Sequence, residues 1–100
     1  MRTPAHMPDE ASDVEVPKEV LSRELDGEAV LLDLRSGRYF GLNGTGAVVW
    51  SMLKDGAERE QIAHQITEEF AVDLVRARAD VDAFIESLVG RGLITYRDRA

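Results

Sequence analysis

The stretch VLLDLRSGRYFGLNGTGAVVW, residues 30–50, decides the fold because it predicts a β-hairpin that runs directly into a helix. Strand side chains alternate between two faces. The apolar residues therefore share one face of each strand: Val30, Leu32 and Leu34 on the first, Phe40 and Leu42 on the second. Residues 35–37, Arg-Ser-Gly, suit a three-residue turn with glycine in the left-handed conformation. This turn predicts a register that agrees with the hydrophobic pattern: Leu34 with Arg38, Leu32 with Phe40 and Val30 with Leu42.

Signals on both sides of the hairpin extend it to a small α+β domain. Residues 20–25 predict an earlier strand, which the Asp26-Gly27 turn signal joins to the hairpin. The result is a three-stranded antiparallel meander. Residues 93–96 either add a short closing strand or simply pack against the domain.

Three helices are predicted after the sheet, over residues 46–54, 58–70 and 74–91. Asn43 and Thr45 are competent N-caps for the first helix, and Asp73 is one for the third. The first helix has an apolar inner face that places a tryptophan at the centre of the core: Val49, Trp50 and Leu53. The second helix has a single apolar stripe and packs on one side: Ile62, Ile66 and Phe70.

The third helix has a broader apolar surface than a helix that packs on one side. Its apolar residues cover more than the usual stripe of about 100°: Leu74, Ala77, Val81, Phe84, Ile85, Leu88 and Val89. Either the helix is wedged between the sheet and the other two helices, or one of its flanks lines a ligand groove. The second interpretation places the groove near Ile85 and Val89, with Arg78 and Asp82 at its rim.

The last strand of the meander, residues 38–42, is a sheet edge whose backbone groups stay unpaired unless another segment covers them. An exposed edge beside an apolar helix flank is the arrangement that binds an extended peptide, because backbone hydrogen bonds supply affinity and side-chain pockets supply selectivity. Gly41 either lets a second backbone approach closely or marks a bulge or twist in the strand.

Composition limits the class of function. A chain of 100 residues that is 44% hydrophobic and lacks cysteine predicts one domain without disulfides or thiolate metal sites. The net charge of -7 argues against a nucleic-acid partner, because affinity for phosphates comes mainly from Lys and Arg. No apolar run approaches the ~20 residues of a membrane span, and the polar N-terminus lacks a signal-peptide segment. We therefore expect a soluble, cytoplasmic protein.

The first residues of the chain differ in composition from the rest. Residues 1–15 are rich in Pro, Asp, Glu, Ser and Ala and show no periodicity, which predicts a disordered tail. The folded domain is expected over residues 16–97.

No residue pattern points to catalysis, a metal or a cofactor. His6 and His64 do not form a pair at metal-ligand spacing, and the serines lack the context of an activated nucleophile. The glycines of residues 41–46, GLNGTG, do not match the dinucleotide-binding pattern. We expect a binding protein and not an enzyme, with no catalytic residues, no metal site and no cofactor.

Three segments strongly resemble the PqqD-like family of recognition elements for ribosomally made, modified peptides: DLRSGRYFGLNGTGAVVW, DGAEREQIAHQITEEF and ADVDAFIESLVGRGLI. The resemblance covers residues 16–94. Its most specific pattern is LN-x-x-G-x-x-x-W, formed by Leu42, Asn43, Gly46 and Trp50. Within the family, the RARADVDAF run and the tyrosine of RYFGLN look most similar to the small stand-alone proteins of lasso-peptide pathways.

The resemblance implies a winged-helix-like fold that binds the leader of a precursor peptide as an added strand between the third strand and the third helix. It also implies presentation of the precursor to processing enzymes, which in a lasso pathway are a leader-removing cysteine protease and an ATP-dependent macrolactam synthetase. The implied peptide-binding positions lie on both elements: Arg38, Tyr39, Phe40, Gly41 and Leu42 on the strand, and Arg78, Val81, Asp82, Ile85 and Val89 on the helix.

The strand positions are not equivalent. Phe40 and Leu42 share the predicted inward face with Leu32, which favours a core role for both. Tyr39 and Gly41 point the other way, and Tyr39 offers ring area and a hydroxyl for a specific contact.

Two alternatives stay open. The family name suggests a partner of a radical SAM enzyme in cofactor biosynthesis. A winged-helix DNA-binding protein is the other alternative, because the second and third helices with their tight connection also fit a helix-turn-helix. Charge disfavours it, since the third helix begins with two arginines but continues with three acidic residues: Arg76, Arg78, Asp80, Asp82 and Glu86.

Overall fold

The computed structural model describes residues 13–97. Its elements follow in the order β1 (Val14–Glu15), β2 (Val20–Leu25), β3 (Glu28–Asp33), β4 (Arg38–Asn43), α1 (Gly44–Lys54), α2 (Arg59–Glu69), α3 (Leu74–Gly90) and β5 (Thr95–Tyr96). Strands β2, β3 and β4 form an antiparallel sheet in that order, and three helices follow. The predicted α+β class, with a three-stranded meander before three helices, is confirmed.

The core lies between the inner face of this sheet and the three helices. Trp50 is 0% exposed, as predicted, and is the largest of the fully buried side chains. Its indole Nε1 has no hydrogen-bond partner among the described residues, so the ring contributes through packing alone. The other fully buried side chains come from β1, β3, the three helices and the segment before β5: Val14, Leu31, Val49, Ile62, Ile66, Val81, Ile85, Leu88, Leu93 and Ile94.

The second and third helices have local capping signals at their ends. The α2 helix starts with a capping box in which the Glu58 N–H donates to Gln61 Oε1 at 2.8 Å. The Asp73 side chain accepts the N–H of Arg76 at 2.8 Å and caps α3 as predicted. Gly92, with φ of +75°, follows the end of α3, and the N–H of Leu93 closes the turn.

The hairpin register is one residue away from the predicted one, so that prediction is wrong. The turn spans four residues, 34–37, and the N–H of Gly37 donates to the C=O of Asp33 at 2.7 Å. This turn sets the pairing: Asp33 with Arg38, Leu31 with Phe40 and Ala29 with Leu42. Because one residue of shift exchanges the faces of a strand, Val30 and Leu34 are 48% and 56% exposed instead of buried.

Asp33 explains the longer turn. Its side chain lies on the inner side of the sheet and is 7% exposed. The carboxylate Oδ1 accepts the backbone N–H of Arg35 at 3.0 Å and its Nε at 2.9 Å. The Arg35 hydrogen bond holds the pKa of the Asp33 carboxyl below its ordinary value. The ionised Asp33 side chain therefore has hydrogen-bond partners on the inner face of the sheet. The apolar alternation predicts Leu32 and Leu34 on this face instead.

The two ends of the described chain meet in a second sheet. Strand β1 pairs antiparallel with β5, which confirms the closing strand that the sequence left as one of two options. Arg59 on α2 connects this sheet to the helices, with salt bridges to Asp13 at 3.0 Å and to Asp82 at 2.8 Å. Strand β1 lies inside the predicted tail, so the folded domain begins before Val16. The remainder of the predicted tail, residues 1–12, lies outside the described residues.

Candidate peptide-binding groove

Strand β4 is the open edge of the three-stranded sheet. The N–H of Leu34 donates to the C=O of Glu19, which fixes the even-numbered residues of β3 as those that bond to β2. The odd-numbered residues of β3 therefore bond to the even-numbered residues of β4. It follows that the backbone N–H and C=O groups of Tyr39 and Gly41 point away from the sheet. Among the described residues no strand pairs with them.

A groove runs between this edge and α3. It consists of two adjoining cavities, of about 540 Å³ and about 400 Å³, that share Gly41, Leu42, Phe84 and Ser87. We call it the β4–α3 groove. The remaining lining residues come from the ends of the two elements and from the segments that follow them: Tyr39, Phe40, Asn43, Thr45, Gly46, Asp80, Ala83, Leu88, Arg91 and Leu93.

Phe84 forms the apolar floor of the groove together with the start of α1. A Cβ added at Gly46 would lie 3.2 Å from the Phe84 ring and 3.9 Å from the Leu42 Cβ. Glycine is therefore the residue that lets this ring lie against α1. Leu42 and Gly46 of the LN-x-x-G-x-x-x-W pattern belong to this cluster, and Trp50 is buried in the core. Asn43 occupies the N-cap of α1, but its side chain makes no capping hydrogen bond.

The two ends of the groove differ in charge. Arg38 and Arg91 lie at the end where β4 begins, and the Arg38 guanidinium stacks over Phe40 with 5.5 Å between its carbon and the ring centroid. Asp80 lies at the opposite end and is neutralised by Arg76, with 3.1 Å between Nε and Oδ1.

The predicted strand residues lie along the groove. The groove is lined by Tyr39, Phe40, Gly41 and Leu42. Arg38 does not line it but stacks on the Phe40 ring. Phe40 and Leu42 are half-buried against the core and Tyr39 is 70% exposed, so their predicted inward and outward orientations are confirmed. The predicted neighbour on the inward face is wrong, because Phe40 and Leu42 pair with Leu31 and Ala29, and Leu32 pairs with Tyr39. Gly41 has ordinary strand geometry with negative φ, and a Cβ added there would meet no atom within 4 Å.

The structure does not place the predicted helix residues along the β4–α3 groove. Ile85 and Val81 are fully buried in the core, which agrees with the wedged-helix alternative. Arg78 and Asp82 face α2, where Arg78 Nη2 lies 2.6 Å from Glu60 Oε2. Val89 is half-buried against the core and lies roughly 140° around the helix from Phe84 at 100° per residue.

The helix side of the groove consists of residues that the resemblance does not imply: Asp80, Ala83, Phe84, Ser87 and Leu88 on α3, and Arg91 directly after it. Phe84 was the available signal, because it lies at one margin of the broad apolar arc and Val89 lies at the other. The helix pattern alone does not tell which margin faces the sheet.

Metal-binding clusters and membrane-spanning helices are two further features that would bear on function. Within residues 13–97, no cluster of His, Asp and Glu side chains could hold a metal ion. His64 lies on the exposed surface of α2, with Nε2 3.3 Å from Glu60 Oε2. None of the described helices is long and apolar enough to span a membrane.

Comparison with known proteins gives similarities of two kinds. The family model for coenzyme PQQ synthesis protein D (PqqD) matches residues 28–94. The solved structure of TbiB1 in complex with the TbiA(beta) leader peptide is 35% identical, with a TM-score of 0.77 over 84% of this chain and 99% of that chain. Lasso peptide synthetase B1 complexed with the leader peptide is 32% identical, with a TM-score of 0.75 over 83% of this chain and 98% of that chain. No curated protein sequence matches.

Proposed function

The chain belongs to the PqqD family, and we propose that it binds the leader of a ribosomally synthesised precursor peptide without changing that peptide chemically. The leader adds as a strand to β4 and places alternate side chains in the β4–α3 groove. The unpaired backbone of Tyr39 and Gly41 beside this groove is the observation that carries the proposal. The two similar solved structures support it, because both contain a bound leader peptide.

The site that we propose takes its residues from the groove as the structure has it. Tyr39 and Gly41 supply the backbone hydrogen bonds, and Phe40 and Leu42 supply apolar surface. On the helix side, Phe84, Ser87 and Leu88 replace the residues implied by the sequence resemblance. A strand that spans the six residues of β4 covers about 20 Å at roughly 3.3 Å per residue.

For the pathway, we propose that the protein presents the bound precursor to a leader-removing protease and a macrolactam synthetase in the cytoplasm. The similarity to lasso peptide synthetase B1 supports this choice. The description of the matching family model favours a second candidate, a peptide chaperone for a radical SAM enzyme in cofactor biosynthesis. Both candidates use the same groove and differ in the precursor and in the enzyme served.

Titration with a labelled peptide tests the proposal. The probe is a fluorescein-labelled copy of the leader encoded beside this gene, with a scrambled leader and a labelled DNA duplex as controls. We expect saturable binding of the leader in the sub-micromolar to micromolar range, and mass spectrometry should show the leader unchanged. Tight binding of the duplex without saturable binding of the leader would refute the proposal and support the DNA-binding alternative.

A further inference from the structure

Most lysine and arginine side chains of residues 13–97 form salt bridges with acidic side chains. The exceptions within that range are Lys18, Arg23, Arg38 and Arg91. Two of these exceptions, Arg38 and Arg91, lie at the same end of the β4–α3 groove. The chain has a net charge of -7, so acidic side chains outnumber basic ones. Even so, these two arginines at one end of an apolar groove have no acidic partner among the described residues.

The local contacts leave both guanidinium groups available. Arg38 stacks on Phe40 but has no carboxylate partner. Arg91 reaches Ser87 Oγ through its Nε at 3.5 Å, a weak contact at the limit of hydrogen bonding. The other end of the groove is different, because Arg76 already neutralises Asp80. The positive charge without an acidic partner therefore lies at the Arg38 end of the groove.

We propose that Arg38 and Arg91 bind an acidic side chain of the peptide and thereby select the sequence and register of the bound strand. The inference rests on the proposed function and adds to it the class of ligand. That class is an extended peptide with apolar side chains at alternate positions over Phe84 and Leu42, and an aspartate or glutamate beside Tyr39. Guanidinium groups bind carboxylates through paired, charge-assisted hydrogen bonds, which also fix geometry.

The position of the acidic residue reports the strand direction. Strand β4 runs from Arg38 to Asn43. In a peptide that adds antiparallel to β4, the acidic residue lies C-terminal to the apolar residues. In a parallel peptide it lies N-terminal to them.

The test uses the labelled leader with each acidic residue replaced in turn by its amide. We expect one replacement to weaken binding to the wild-type protein about tenfold, as for a partly exposed charge-assisted contact. The double variant Arg38→Gln with Arg91→Gln should bind the unmodified leader about tenfold more weakly as well. If the acidic residue of the leader interacts with the two arginines, its amide replacement should have almost no further effect on binding to the double variant. Arg23→Gln, which removes an unpaired arginine of β2 away from the groove, is the matched control and should bind normally.

The outcomes separate this inference from the proposed function. A leader that binds saturably to the wild type, with every amide form binding equally well, overturns the inference and leaves peptide binding intact. Losses that are additive between peptide and protein replacements also overturn it, because they indicate separate sites. Absence of any saturable leader binding overturns the proposed function and the inference together.

Discussion

The two sides of α3 differ in what they face. On one side, Phe84 and Ser87 line an open groove beside β4. On the opposite side, Arg78 and Asp82 form salt bridges with α2, at 2.6 Å to Glu60 and 2.8 Å to Arg59. Asp82 lies about 160° from Phe84 around the helix at 100° per residue. One helix therefore carries a closed packing side and an open side, although apolar residues reach toward both.

The contacts between α3 and α2 lie on the closed side of α3, and the side that faces β4 lines the open groove. The Arg78 hydrogen bond joins α3 to α2 and lowers the pKa of the Glu60 carboxyl below its ordinary value. The buried side chains of Ile62, Ile66 and Ile85 add an apolar interface between α2 and α3. An apolar surface and an unpaired strand edge can then remain free for a ligand.

Loss of the core that both sides share should have the largest effect. Trp50→Ala removes the largest fully buried side chain and should lower the free energy of unfolding by ~3 to 5 kcal/mol. In so small a domain this is a large part of the total stability, so most of the fold and all peptide binding should be lost. Thermal denaturation followed by circular dichroism measures it. A variant that melts like the wild type would contradict the core role of Trp50.

On the open side, the strand edge should respond most strongly. The N–H of Gly41 points away from β3, so Gly41→Pro removes a donor that the sheet does not use. We expect a folded protein with about 100-fold weaker leader binding, because strand addition loses a hydrogen bond and meets the proline ring. Gly41→Ala keeps the N–H and has open space for its Cβ, so it is the matched control. Equal binding by both folded variants would exclude β4 as the docking edge.

Filling the groove should have the next largest effect. Ser87 is exposed and lines both cavities, so Ser87→Trp should occupy space that the peptide needs without disturbing the core. We expect leader binding to weaken about tenfold, on the basis of one lost side-chain pocket. Glu68→Trp places the same side chain on the exposed surface of α2 and should bind like the wild type. Comparable affinities of the two variants would place the peptide elsewhere.

The sequence predicts the two sides of α3 unequally well, and the reason is physical. Amphipathic periodicity identifies the helix and its broad apolar arc, since both depend on local pattern. It does not tell which residues of the arc are buried, and Ile85, where the sequence placed a groove, lies in the core. The choice between the margins at Phe84 and Val89 depends on where the sheet lies, which is a tertiary property. Salt bridges such as the one between Arg78 and Glu60 join residues that are far apart in sequence. A local sequence pattern therefore does not predict them.

The strand side shows the same limit at shorter range. The sequence predicts β4 and the orientation of Tyr39 correctly, because both follow from alternation. The register of β3 depends on one residue of turn length, and the hydrogen bonds between Asp33 and Arg35 decide it. An aspartate whose carboxylate accepts hydrogen bonds from the turn can fix the register of the strand. This register differs from the one that the apolar alternation of Val30, Leu32 and Leu34 predicts.

Removing an ion pair from the closed side should have a small effect on binding. Arg78→Gln breaks the salt bridge with Glu60 but leaves the groove residues in place. Because the pair is exposed, we expect a decrease in the melting temperature of a few degrees at most and less than about twofold change in leader affinity. A loss of binding comparable with that of Ser87→Trp would show that the closed side also contacts the peptide, as the resemblance implies.

The smallest effect is expected at the connection between the hairpin turn and α3. Asp33 accepts hydrogen bonds from Arg35, and Arg35 Nη2 donates to the C=O of Gly92 at 2.6 Å, just beyond α3. This contact joins the β3–β4 turn to the segment that follows α3, next to Arg91. Asp33→Asn should lower the melting temperature by a few degrees at pH 7, because the amide holds Arg35 less strongly.

The pH dependence of this effect tests its electrostatic origin. The pKa of Asp33 is lowered in the folded protein, chiefly by the hydrogen bond from Arg35, so the carboxylate stabilises the folded state above the ordinary aspartate pKa. That stabilisation is lost as the pH falls below about 4 and through the lowered pKa of the folded protein. The difference in melting temperature between wild type and Asp33→Asn should therefore shrink between pH 7 and about pH 3. A difference that stays constant over this range would mean that Asp33 acts through the shape of the turn, and that its charge does not help to set the open side of α3.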